Sequence, residues 1–208
     1  GDDARRTLGV IDVPERQGRR PLHWEPADGH LLLVGARGSG TTSTLQQIAA
    51  ACGQAGYVID ADGGRRWRAG GSIVAAVRLG DSERRDRMIG RLAARLTASG
   101  PFTVDGDDNG HAAEPTLLVV DDLAAVLAEL DRPATATVRE SLLRLLTDGP
   151  SVGIAVIASI RRPGALSAAV LAAFAVRWLF HLRDPAEGAA LGVRPAAVPP
   201  AIAGRIRL

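Results

Sequence analysis

The stretch Leu31-Leu32-Leu33-Val34-Gly35-Ala36-Arg37-Gly38-Ser39-Gly40-Thr41-Thr42 is an apolar run that enters a glycine-rich turn. Its first four residues predict a strand buried on both faces. After the turn, Leu45, Ile48, Ala49 and Cys52 recur at helical spacing and Gly53 closes the run, so residues 41–52 predict a helix. Strand, glycine turn and helix are the setting of a phosphate-binding P-loop, G-x-x-x-x-G-K-[ST]. Gly35, Gly40 and Thr42 fit that pattern, and Thr41 breaks it where lysine belongs. Backbone N–H groups around such a turn, with the helix N-terminus, form an anion cavity. The candidate phosphate-binding residues are therefore Gly35, Ala36, Arg37, Gly38, Ser39, Gly40, Thr41 and Thr42, and the Thr42 hydroxyl is a candidate Mg²⁺ ligand. Thr41 offers a neutral hydroxyl where an ammonium group would reach the β- and γ-phosphates of ATP. Losing a charge-assisted contact costs about 1.5–3 kcal/mol in binding, and transition-state charge is where the lysine matters most. Arg37 could partly substitute, although its wide planar fork does not fill a lysine's place. A bare tight connection needs the same glycines, so the loop alone leaves both readings open.

A second run, Leu117-Leu118-Val119-Val120-Asp121-Asp122, adds to the first. Four apolar residues followed by acids are the Walker B arrangement, in which Asp121 would sit beside Mg²⁺ and Asp122, the candidate catalytic residue, would orient the attacking water. Asp122 stands where glutamate is usual and is one methylene short. The competing reading is that both acids merely end a strand and cap a helix. Dinucleotide binding is a further alternative, because Asp60 closes a strand about 20 residues after the glycines, as a ribose-binding acid would. The spacing Gly35-x-x-Gly38-x-Gly40 does not match G-x-G-x-x-G.

The composition narrows the chemistry. All 25 cationic residues are arginine, so no lysine nucleophile, Schiff base or P-loop ammonium can come from the chain. A net charge of +2 does not by itself imply a nucleic-acid partner. With a single cysteine, Cys52, an internal disulfide is impossible. No secretory signal and no apolar run of spanning length is evident, which predicts a cytoplasmic domain. The opening Gly1-Asp2-Asp3 looks like a cut boundary, as expected of one piece of a longer protein that reaches the membrane through other parts.

Along the chain, residues 1–29 predict a strand, loop, strand preamble, with apolar pieces at 8–13 and 21–24 and a polar loop at 14–20. Residues 30–208 predict the core domain. Further strands are expected at 57–59, 73–79, 116–120, 152–159 and 176–182, with helices at 82–97, 123–130, 134–146 and 166–174. A mobile loop is expected at 100–115, and the tail reads as helix followed by proline-rich coil. Strands alternating with helices predict an α/β fold with a mostly parallel sheet covered on both faces. Arg65, Arg66, Trp67 and Arg68 read as a solvated loop with the tryptophan packed inward, or as a contact for nucleic acid. Arg84, Arg87, Arg91 and Arg95 predict a solvent face on one helix.

On these residues the chain resembles ATPase domains of the FtsK/SpoIIIE class, and more specifically the tandem domains of EccC/EssC, the motor of type VII secretion. The likeness lies in the two apolar runs and in three flanking segments. These are residues 8–17 with Pro21-Leu22-His23-Trp24, then Arg162-Pro163-Gly164-Ala165, and finally residues 178–185 leading to Ala190-Leu191-Gly192. The resemblance implies a RecA-like P-loop NTPase core, ATP with Mg²⁺ as cofactors, and neighbouring ATPase domains or subunits of the same motor as partners. It also implies a polymeric cargo, either a secreted helical-hairpin protein or, less expected, double-stranded DNA. Thr41, Asp122 and Arg161 depart from the family pattern, and all three fall around the expected γ-phosphate. The expectation is a degenerate domain of weak or absent ATP hydrolysis, acting in regulation or partner docking. The alternatives are an active DNA translocase and an interaction module independent of nucleotide.

Overall fold

The computed structural model describes residues 7–13, 18–61, 67, 71–98 and 115–208, of which 11–13 by backbone alone. Arg65, Arg66 and Arg68, and the expected loop at 100–115 apart from Pro115, lie outside the described residues.

Six strands form one parallel sheet: β3 (Leu31–Val34), β4 (Ala55–Asp60), β5 (Ile73–Arg78), β6 (Thr116–Asp121), β7 (Ile154–Ile160) and β8 (Val176–Leu179). Their order is β5-β4-β6-β7-β3-β8, and every neighbouring pair runs parallel. β1 (Gly9–Val13) and β2 (Gly18–Leu22) make a separate antiparallel pair. The helices are α1 (Thr41–Cys52), α2 (Ser82–Ala98), α3 (Leu123–Glu129), α4 (Ala136–Asp148) and α5 (Ala168–Ala172).

The unbroken apolar runs are explained by two cores, one on each face of the sheet. Alternate residues Leu32, Val34, Leu118, Val120, Val156 and Ala158 pack toward α2 to α5. Their neighbours Leu31, Leu33, Leu117, Val119, Ala155 and Ile157 pack toward Leu45, Ile48 and Ala49 of α1, together with Leu22 and Trp24. Burying each large aliphatic side chain contributes about 1.5–3 kcal/mol, so both faces of the middle strands β6, β7 and β3 anchor the fold. This is the α/β arrangement, a parallel sheet covered on both faces, that the alternation predicted.

Several boundaries differ from expectation. β2 takes in Gly18, Arg19 and Arg20, because antiparallel pairing at the surface (Ile11 opposite Arg20, Asp12 opposite Arg19) asks for no apolar face. α5 spans only Ala168–Ala172, capped by the Ser167 hydroxyl, which accepts from the Val170 N–H. Phe180 and Leu182 are buried beyond the end of β8, as loop residues. The expected tail helix is a 3-10 segment, Pro185–Leu191. Trp67 does pack inward, against the α1 side. Arg95 leaves the solvent stripe: its guanidinium donates to the Thr116 hydroxyl at 2.6 Å and to the Val152 carbonyl at 3.0 Å. Among the described residues no helix is long and apolar enough to cross a membrane.

Candidate functional site

Three loops meet where β6, β7 and β3 end side by side. Gly35 follows β3, Asp121 ends β6 with Asp122 next to it at the start of α3, and Arg161 follows β7. Together with Ala36, Arg37, Gly38, Thr41, Thr42, Ser159 and Ile160 they line a cavity of about 290 Å³. Carboxyl ends of parallel strands are where open α/β sheets place ligands.

The loop has the cradle shape its glycines predict. A Cβ on Gly35 would stand 2.5 Å from the Ser39 Oγ and 2.6 Å from the Phe180 Cβ, distances no side chain tolerates. Gly40 has φ +104, and a Cβ there would also meet the Gly204 N at 2.9 Å. Gly40 is the N-cap of α1 and supplies no side-chain acceptor, and the first helical bond runs from Thr44 N–H to the Gly40 carbonyl at 2.9 Å. The N–H groups of Thr41, Thr42 and Ser43 therefore lack intrahelical acceptors and point their partial positive charge out of the helix end. Ser39 is 5% exposed, and its Oγ has no hydrogen-bond partner among the described residues.

The acids take two different environments. Asp121 is buried, and its Oδ1 accepts from the Thr42 hydroxyl at 3.2 Å and the Ser159 hydroxyl at 2.7 Å. Asp122 adopts the left-handed region (φ 68), unlike any other non-glycine among the described residues. It caps α3 by accepting from the Ala125 N–H at 3.3 Å, and its own N–H donates to the Ser159 Oγ at 2.9 Å. Its Oδ2 lies 2.9 Å from the Arg161 Nε.

All the candidate site residues thus fall in one place: Gly35, Ala36, Arg37, Gly38, Thr41 and Thr42 on the wall, Ser39 and Gly40 in the turn behind it, Asp121 and Asp122 opposite. Sequence reasoning missed Ser159 as the hydroxyl that ties both acids, although a lone polar residue near the end of the apolar run 154–160 was a signal. It also missed that Arg161 pairs with Asp122, which requires β6 and β7 to be neighbours. Gly204 was a third omission, since its N–H donates to the Ser39 carbonyl at 2.9 Å and seats the tail against the turn. Topology excludes the dinucleotide reading. Asp60 ends β4, and both β6 and β7 stand between β4 and the glycine-bearing β3.

As a host for Mg²⁺ and ATP the cavity fits on one side. Thr42 and Asp121 offer a hydroxyl and a carboxylate already within 3.2 Å of one another, the hard oxygen donors Mg²⁺ takes beside phosphates. The uncapped α1 end suits phosphate oxygens. Thr41 brings no charge to the other side.

The parallel sheet with its glycine turn after β3 is an α/β fold of the RecA-like P-loop type. Among solved structures, the cytoplasmic domain of the Thermomonospora curvata type VII secretion ATPase EccC has this fold, with TM-score 0.73 and 20% identity over 97% of this chain and 26% of that one. EssC from Geobacillus thermodenitrificans, ATPases 2 and 3, follows at TM-score 0.69 and 17% identity, over 97% and 42%. T. curvata EccC ATPases 2 and 3, solved with a signal sequence peptide, match at TM-score 0.69 and 20% identity, over 97% and 40%. No protein-family model and no curated protein matches the sequence. At these identities the likeness is one of fold, and the chain spans from 26% to 42% of those structures.

Proposed function

We propose that the chain is a degenerate ATPase domain of an FtsK/SpoIIIE-type translocation motor of the type VII secretion kind, one that retains a nucleotide seat and turns ATP over poorly or not at all. The observation that carries the reading is the split in the cavity: Thr42 and Asp121 are joined as a magnesium pair, while Thr41 is neutral and Asp122 is engaged by Arg161. Bound Mg-ATP would supply charged phosphates to the α1 end and to Thr42 and Asp121. The chain's own groups would hold and orient it, and an ion-paired carboxylate is poorly placed to orient a water. The fold shared with tandem EccC and EssC ATPases supports neighbouring ATPase domains as partners and a regulatory or docking role, with a secreted helical-hairpin protein as cargo. In the arginine stripe Arg87 pairs with Glu83, Arg84 pairs with Asp81 and Arg95 turns inward, which leaves Arg91 exposed and favours a protein cargo over double-stranded DNA.

Calorimetric titration of the 208-residue chain with Mg-ATP, run beside a phosphate-release assay, tests this reading. Weak binding without release above background is the expected result, and steady release would overturn it. Thr41→Lys should raise Mg-ATP affinity about tenfold or more, the value of one charge-assisted contact. No Mg-ATP binding by either protein would mean that the cradle does not hold phosphate.

A further inference from the structure

The cation absent from the loop has a counterpart on the next strand. Gly35 donates its N–H to the Ile160 carbonyl at 3.0 Å, and the residue after Ile160 is Arg161. Arg161 therefore enters, from the β7 side, the same cavity that Thr41 lines. Its partnership with Asp122 is unequal: the Asp122 side chain is 13% exposed and that of Arg161 is 50% exposed. Asp122 is fixed from two directions, by its cap to Ala125 and by its N–H on Ser159. The guanidinium is the more exposed member of the pair. A guanidinium carries five N–H donors in a planar fork, so one arginine can serve a carboxylate and a phosphate together.

Charge around the cavity favours such a role. The charged lining residues are Arg37, Arg161, Asp121 and Asp122. Were Arg161 removed, two carboxylates would face an incoming polyphosphate, opposed among the lining residues by the exposed Arg37 alone. Like charges at this range repel strongly where water is partly excluded.

We infer that the phosphate-binding cation of this site has moved from the loop to the end of β7: Arg161 takes the γ-phosphate side that Thr41 has given up, with Asp122 as its counter-ion. The inference rests on the nucleotide-binding reading above, and it assigns residues to the anionic end of that same ligand.

Calorimetric titration of Mg-ATP into the 208-residue chain and four variants tests it. Arg161→Ala should lower affinity roughly ten- to a hundredfold, as loss of a charged contact does, and Arg161→Lys should recover part of that loss. Asp122→Asn should raise affinity severalfold by removing the competing carboxylate. The double variant Thr41→Lys with Arg161→Ala should regain most of the affinity, because it returns the cation to the loop. The opposite signs for Arg161→Ala and Asp122→Asn are the signature, since an ion pair serving only to hold the loops would move both variants the same way. Binding that ignores Arg161→Ala and Arg161→Lys, in proteins whose melting temperature is unchanged, overturns the inference and leaves the nucleotide reading standing. Absence of Mg-ATP binding by the unsubstituted chain overturns both.

Discussion

On one side of the cavity Thr42 and Ser159 both donate to a single oxygen of the buried Asp121, whereas on the other Thr41 carries no charge and Asp122 reaches out to a half-exposed arginine. The two sides are a few residues apart in sequence and obey different physics. A buried carboxylate must have its lone pairs satisfied or the fold suffers, so the Thr42, Asp121 and Ser159 triad contributes to stability whether or not a ligand comes. An ion pair whose arginine is half-exposed contributes less, so the Asp122 and Arg161 side can be rewritten at smaller cost to the fold. Stability therefore protects the Thr42 and Asp121 side and leaves the Thr41 and Asp122 side freer to vary.

The largest test of this contrast is Asp121→Ala, which takes the acceptor from two hydroxyl donors, the buried Ser159 and the part-buried Thr42. It should lower unfolding free energy by about 2–4 kcal/mol, the cost of unsatisfied buried groups, as read from urea denaturation. A change below about 1 kcal/mol would erase the distinction between the two sides.

A smaller effect belongs to the opposite end of the sheet, where β3 begins. His30, just before β3, is buried; its Nδ1 accepts from the Val156 N–H at 3.0 Å, and its Nε2 donates to the Leu145 carbonyl at 3.2 Å. Burial holds its pKa below the ordinary 6.5, outweighing the upward pull of the Leu145 and Leu146 carbonyls. A lowered folded pKa means the unfolded chain binds the proton more readily. The His30 contribution to stability is then complete above pH 6.5 and declines as pH falls from 6.5 through the lowered value. One titrating group tilts stability by at most about 1.4 kcal/mol per pH unit. Denaturation curves at pH 7.5, 6.5 and 5.5 check the trend, and an NMR titration of the imidazole giving a pKa above 6.5 would reverse its sign.

Asp122→Asn should matter least to stability. Asparagine keeps the α3 cap and tolerates the left-handed backbone, so only the ion pair goes, and the change should stay within about 0.5–1 kcal/mol. A loss matching that of Asp121→Ala would place both acids on the structural side.

The segments most legible in the sequence were those whose chemistry is local. Residues 41–52 became α1 with the expected bounds, because apolar spacing and Gly53 mark a helix without reference to anything distant. The runs before Gly35 and Asp121 became buried strands for a similar reason. The candidate cradle and both acids came together because motif order already implied the β3, α1 and β6 layout. What escaped depended on neighbours in space. Ser159 and Arg161 acquire their roles only through the adjacency of β6, β7 and β3. Arg95 leaves its stripe because Thr116 and Val152, far along the chain, lie within its reach. The polar residues 18–20 entered β2 through pairing geometry that hydrophobic patterning does not encode.

The tail passes the turn at Gly204 and ends in an antiparallel bridge, with Arg207 and Leu179 exchanging N–H···O bonds of 2.7 and 2.8 Å. Tension applied to the backbone at Leu208 would strain that bridge at the sheet edge first and the single Gly204 to Ser39 bond only after it had opened. Mechanically, the glycine turn sits in series behind a two-bond fuse.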